Sequence, residues 1–149
     1  MEARITGTAD RDVITGIQHI YKSIHSGGVD QRLLSLVHLR VSQINGCSAC
    51  IFATVQAAQK AGESEERLHH VVAWRDTSFY TDEERAALAL AEAATRLQDG
   101  AEGVGDEVWE QAAAHFDERQ LSAITLEIAL TNFFNRINRT VREQAGKTW

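Results

Sequence analysis

Not one proline occurs in the 149 residues of this chain. At the usual frequency of about 5%, a chain of this length would carry roughly seven. Proline marks tight turns, loops and edge strands, so its absence argues against a loop-rich or collagen-like protein. Helices joined by short connections fit. Glycine then supplies the punctuation: Gly27-Gly28, Asn45-Gly46, Gly62 and the stretch from Gly100 to Gly105 each interrupt the apolar pattern.

Between these breaks, apolar residues recur at spacings of three and four, which predicts seven helices and no strand-length alternation. The first covers about 12–25, with Val13, Ile17, Ile20, Tyr21 and Ile24 on one face. The second, about 30–44, opens on Asp30 as N-cap and carries Leu33, Leu34, Val37, Val41 and Ile44. The third, about 47–61, is alanine-rich, and Ala53, Ala57, Ala58 and Ala61 are expected to let a neighbour approach closely. A fourth begins at Ser64 and carries Leu68, Val71, Val72 and Trp74. Thr81-Asp82-Glu83-Glu84 is a capping box that opens the fifth at about 82–98, with Leu88, Ala91, Ala94 and Thr95 pointing inward. The sixth, about 106–115, uses Val108, Trp109 and Ala112, and the longest, about 118–144, is capped by Asp117. The expected architecture is an all-α, single-domain helical bundle over residues 1–149, with the Gly100 to Gly105 stretch as its loosest loop. A chain of this size buries about two thirds of its unfolded surface, so neither a metal nor a disulfide is needed to hold it.

Charge narrows the partners. Fifteen Lys and Arg against twenty-one Asp and Glu give a net −6, with no basic run longer than a pair. A nucleic acid or an anionic membrane is therefore not an expected partner. No stretch approaches the ~18 consecutive apolar residues of a membrane span, and the first twelve residues lack a secretory core, so a cytoplasmic location is expected. Phe133, Phe134 and Trp149 read either as core or as a surface covered by another subunit.

Cys47-Ser48-Ala49-Cys50 is the one constellation with chemical meaning. A bridge across so short a loop stabilises little, so a structural disulfide is a poor explanation. In a helix first turn the two positions share a face, and the amides and dipole of a helix start favour thiolate over thiol. Such a pair is suited to turnover: a thiolate attacks a peroxide oxygen, and the second cysteine converts the resulting sulfenic acid to a disulfide that a dithiol later reduces. The competing reading is a pair of small buried cysteines. Zinc needs four ligands and no second Cys-x-x-Cys exists, so neither a metal nor another cofactor is expected.

The stretch from Leu33 to Glu92 resembles the alkylhydroperoxidase D-like, or carboxymuconolactone decarboxylase, family. The resemblance rests on Leu39 to Cys47 with Cys50, on Lys60-Ala61-Gly62-Glu63, on Trp74-Arg75-Asp76-Thr77 and on the run from Phe79 to Leu88. Asp106 to Trp109 and Leu126 to Arg136 extend it. It implies an all-helical domain, assembly into trimers or hexamers, and peroxidase activity through the cysteine pair with electrons from a dithiol partner such as a lipoyl-bearing protein. It also implies a proton relay from a glutamate twelve residues before the first cysteine and a histidine four residues after the second. This sequence has Ser35 and Thr54 there, and Ala49 where a histidine often precedes the second cysteine.

The site residues read from the sequence are therefore Cys47 and Cys50, with His38, Ser35 and Thr54 as auxiliaries. His38 lies one turn from Ser35 and can serve as a base; the simpler reading makes it a solvent-facing residue. Ser35 and Thr54 can bond a water or a thiol, or simply pack. Glu92 and Glu127 are expected on solvated helix edges, His69-His70 at surface and half-buried helix positions rather than as ligands, and Trp74 in the core. Asn138-Arg139-Thr140 reads as a glycosylation sequon of no consequence in a cytoplasmic protein. The leading expectation is a hydroperoxide-reducing thiol oxidoreductase. Its alternatives are a redox sensor that has lost the relay and, more remotely, a cofactor-free lactone decarboxylase.

Overall fold

The computed structural model describes residues 2–5, 9–97 and 103–147, so Trp149 and the Gly100 to Glu102 part of the glycine-rich loop lie outside the described residues. Seven α-helices follow in order: α1 (Arg11–His25), α2 (Gln31–Asn45), α3 (Ser48–Lys60), α4 (Glu65–His70), α5 (Asp82–Thr95), α6 (Asp106–Ala113) and α7 (Glu118–Val141). No strand occurs among the described residues. The caps are those the sequence announced. Asp30 accepts from the Arg32 amide, Thr81 and Glu84 close a capping box, and Asp117 forms a second one with Gln120.

The fourth helical stretch is shorter than its periodicity predicts. It is α-helical only to His70 and continues as a 3-10 helix, Val71–Asp76, with Ala73 outside helical geometry. Arg85 takes up the carbonyls this frees, donating to the oxygens of Trp74, Thr77 and Arg75.

Helix α2 is the axis of the molecule. Nine of its fifteen residues are buried, on more than one face. One side joins α1, α5, α6 and α7 in a core that includes Leu34, Val37, Ile124 and Ile128. The other packs Leu36 and Leu39 with Leu68, Trp74 and Leu88. Glycine permits one close approach here: a Cβ on Gly27 would collide with that of Ala123, so the end of α1 rests directly on α7.

Polar residues fix the register of α2 against α7. Buried Asn135 donates to Ser42 Oγ at 3.1 Å, and Asn45 donates to the side-chain oxygens of Asn132 and Asn135 at 2.9 and 2.8 Å. A buried amide without its partner costs about 1–3 kcal/mol, so a one-turn slip of either helix is strongly disfavoured.

Glu92, expected on a solvated edge, is buried at the centre of a clasp. Arg40 and Trp74 donate to one carboxylate oxygen at 2.7 and 3.0 Å, and Arg75 and Arg96 to the other. Burial pulls its pKa upward, but hydrogen bonds from Arg75, Trp74 and Arg40 outweigh that and hold the carboxyl below its ordinary value. Two other expectations fail. Ala53, Ala57 and Ala61 are exposed, leaving Ala58 as the alanine that packs, and Trp109 is exposed as well. The face of α1 bearing Val13, Ile14 and Ile20 is open to solvent, next to Leu126 and Phe133 of α7.

Candidate active site around the cysteine pair

Two helix signals meet at Cys47. Gly46, in the left-handed conformation at φ 65°, ends α2, and the amides of Gly46 and Cys47 return to the carbonyls of Gln43 and Ser42. This double bond pattern is a Schellman stop, and it needs the φ that glycine adopts without strain. Cys47 is also the N-cap of α3, so it stands just before the helix rather than inside its first turn. Its sulfur accepts from the Cys50 amide at 3.4 Å. With Cα atoms 5.3 Å apart, the two cysteines are joined as a disulfide. The Asn-Gly joint thus sets the sulfur at the positive end of a helix dipole.

Both cysteines are buried, yet each borders a different cavity. Cys47 lines one of about 360 Å³ with Ser48, Arg139 and Arg142. Cys50 lines another of about 270 Å³ with His38, Tyr21, Ala53, Phe134 and Lys147. Asn138 stands between them and borders both. Its Nδ2 donates to Cys50 Sγ at 3.2 Å, while its buried Oδ1 has no hydrogen-bond partner among the described residues. An orphaned buried carbonyl costs about 1–3 kcal/mol, a burden that points to a ligand or a reaction.

His38 is not the solvent-facing residue of the simpler reading. Its ring is half-buried, and Nδ1 lies 2.9 Å from Oε1 of Glu127 and 3.1 Å from the hydroxyl of Thr131. Thr131 donates its own proton to the Glu127 carbonyl at 2.7 Å. The carboxylate therefore takes the Nδ1 proton, which leaves Nε2 as the basic nitrogen. Glu127, expected on a solvated edge, is only 4% exposed. Burial, with the Glu127 charge second, pushes the Tyr21 hydroxyl up to about 12, so it stays protonated at neutral pH.

Ser35 and Thr54 are both buried and line an adjoining cavity of about 230 Å³, which His38, Glu127, Tyr21 and Ala53 also border. Ser35 donates to the Gln31 carbonyl at 3.0 Å. Neither appears in the lining of the Cys50 cavity; His38 does. Trp74 is core, as expected, whereas His69 and His70 are both exposed, neither of them half-buried. Among the described residues, no cluster of three or more His, Cys, Asp or Glu side chains is arranged for a metal, and no helix is long and apolar enough to cross a membrane.

Sequence reasoning set Glu127 on a solvated edge and read Asn138 only as part of a sequon, so it placed neither beside the cysteines. A signal was available: Glu127, Thr131, Asn135 and Asn138 recur at four, four and three, a polar line along the face of α7 that also carries Ile124 and Ile128. Polar residues at core spacing in an otherwise apolar helix are costly unless paired or used.

The fold and the site together define an all-helical protein, among the described residues, with a close cysteine pair at the start of α3. Residues 13–93 match the carboxymuconolactone decarboxylase family, and the chain belongs to it. It is 35% identical over 125 residues to the uncharacterised protein YdfG of Bacillus subtilis, covering 84% of each chain. It is 36% identical over 111 residues to the uncharacterised protein YnjA of Escherichia coli, covering 74% of this chain and 59% of that one. Its fold also matches that of an Agrobacterium tumefaciens protein of unknown function, considered a candidate antioxidant defence protein AhpD. The TM-score there is 0.88 at 29% identity, over 99% of this chain and 100% of the other.

Proposed function

We propose that the protein reduces hydroperoxides through Cys47 and Cys50 and is returned to the dithiol by a dithiol donor of the lipoyl type. One observation carries the reading: Cys50 shares a cavity with His38, whose Nδ1 is held by Glu127. The antioxidant role considered for the Agrobacterium relative supports it.

In the dithiol form, His38 Nε2 takes the Cys50 proton. The thiolate attacks the terminal oxygen of the hydroperoxide, the O–O bond breaks, and His38 returns the proton to the departing alkoxide. The products are an alcohol and a Cys50 sulfenic acid. The Cys47 thiol condenses with it, releasing water and closing the disulfide. A dithiol donor then attacks through a mixed disulfide and leaves oxidised, so two electrons and two protons pass from donor to peroxide. Tyr21, Ala53 and Phe134 give the cavity an apolar wall suited to an organic hydroperoxide. Arg139 and Arg142 beside Cys47 outnumber Glu143 in that cavity and suit a donor with an acidic surface.

Copies of the chain associate as trimers or hexamers in this proposal, covering the apolar groove between α1 and α7 that Ile17, Ile20, Leu126 and Phe133 line.

The test is consumption of cumene hydroperoxide with dihydrolipoamide as donor. Both Cys47→Ser and Cys50→Ser abolish turnover. If both variants match the wild type, the reading is wrong.

A further inference from the structure

We propose that Asn138 is a catalytic residue that works with both ends of its amide: Nδ2 holds the Cys50 thiolate, and Oδ1 accepts the O–H of the bound hydroperoxide. This rests on the peroxidase reading above and adds the residue that orients its substrate.

The argument starts from the orphaned atom. Asn138 is 8% exposed and borders the cavities on both sides of the disulfide. Its orientation follows from chemistry, because a disulfide sulfur carries no proton and can only accept, so the amide N–H must face Cys50. The 3.2 Å contact is that bond. Oδ1, the other arm of the same amide, then has nothing to accept from among the described residues.

When the disulfide opens, the same N–H faces a thiolate, and a hydrogen bond to the charged form favours it over the thiol. The attack that follows forms a bond from Sγ to the terminal peroxide oxygen, which bears the hydroxyl proton. That proton is neither gained nor lost in the step; it remains on the oxygen as the sulfenic acid forms. An acceptor on the same amide that binds sulfur holds this proton throughout, which fixes the oxygen over Sγ and aims the O–O bond away from it. His38, which also lines the cavity, handles the separate proton that goes from thiol to alkoxide. Two protons and two groups are thus kept apart.

The sequence did not reveal this role because the Asn138-Arg139-Thr140 triplet has a familiar surface meaning. The burial of Asn138 removes that meaning.

The test uses the Cys47→Ser protein, in which Cys50 is the one thiol, with Asn138 intact, Asn138→Leu or Asn138→Asp. Each is alkylated with iodoacetamide across pH, in parallel with oxidation by cumene hydroperoxide. Tyr21, His38, Glu143 and Lys147 also face the Cys50 cavity, and Arg139, Arg142 and again Glu143 the other side, so all variants are read against the same background. Asn138→Leu raises the alkylation midpoint by about one pH unit through loss of the donor. Above that midpoint, where every Cys50 is thiolate, it lowers the hydroperoxide rate about tenfold or more relative to the iodoacetamide rate, since iodoacetamide brings no O–H to the sulfur. Asn138→Asp keeps an acceptor, so it raises the midpoint but holds that ratio within about threefold of the Asn138 protein. An unshifted midpoint, or an equal ratio in the parent and the Asn138→Leu protein, overturns the role of Asn138 while fast oxidation of the parent upholds the peroxidase reading. A parent oxidised no faster than a free thiolate overturns the peroxidase reading and the role of Oδ1 with it. The iodoacetamide midpoint then still decides the role of Nδ2.

Discussion

Nδ1 of His38 lies 2.9 Å from Oε1 of Glu127, although the two residues are 89 positions apart in the chain. Helix α2 supplies the ring and α7 the carboxylate, and the Ser42–Asn135 and Asn45–Asn132 bonds lock the two helices in the register that brings them together. The histidine–carboxylate pair that Ser35 and Thr54 cannot form is therefore present one turn along α2, built from different residues.

In the peroxidase reading, exchange of His38 for alanine removes the base, and the rate of Cys50 oxidation by cumene hydroperoxide at neutral pH falls about 10²–10⁴-fold. Glu127→Gln acts only through the ring and costs about 10–100-fold. Both are read as second-order rates by stopped flow. In the peroxidase reading, Glu127→Gln also shifts the pH profile of the rate, which a purely structural lesion does not do. Unchanged rates in both variants sink the relay.

Replacing Glu92 with glutamine leaves Arg40, itself buried, facing a neutral group, and stability falls by about 3–5 kcal/mol in urea titrations near neutral pH. The pH dependence follows from the sign of the shift. A carboxyl held below its unfolded value of about 4.5 contributes stability that is present above that pH and lost as the pH falls through its folded value. Wild type thus loses this contribution in acid, and the Glu92→Gln protein has none to lose, so the gap between them closes there.

Tyr21 gives the opposite limb. Its hydroxyl pKa is raised from 10.0 to about 12, so the stabilisation is complete below 10.0 and disappears as the pH rises through the folded value. Thermal melts at rising alkaline pH show a steeper decline in wild type than in Tyr21→Phe, which keeps the part due to Tyr80, whose hydroxyl burial also pushes up to about 12.

Gly27→Ala forces the end of α1 away from Ala123 and costs about 1–3 kcal/mol in a urea melt. The control is Gly62→Asn, where the backbone is left-handed, unlike that of Gly27, and no neighbouring atom lies within 4 Å; asparagine tolerates that conformation, so the loss there is smaller.

The assembly proposal has its own check. Ile20→Glu or Phe133→Glu sets a charge into the exposed groove between α1 and α7, and sedimentation velocity reports a monomer where the wild type sediments as a trimer or hexamer. A wild type that is itself monomeric at high concentration removes that proposal and leaves the cysteine chemistry untouched.

The sequence by itself determined what depends on neighbours in the chain. Helix spacing, the Asp30, Thr81 and Asp117 caps, the glycine stop at Gly46 and the pairing of Cys47 with Cys50 are all local, because a turn, a cap or an i to i+3 contact is set within a few residues. Arg40, Trp74 and Arg75 were equally visible in the family resemblance, but as matches without a partner; the fold gathers them on Glu92. Only the tertiary structure decided which polar residues are buried and what they touch. Glu127 and Asn138 sit on a helix whose local pattern does not say which neighbour its polar line meets. Packed against α2 and α3, that line reaches His38 through Glu127 and Cys50 through Asn138, pairings set by helix register and not by sequence distance.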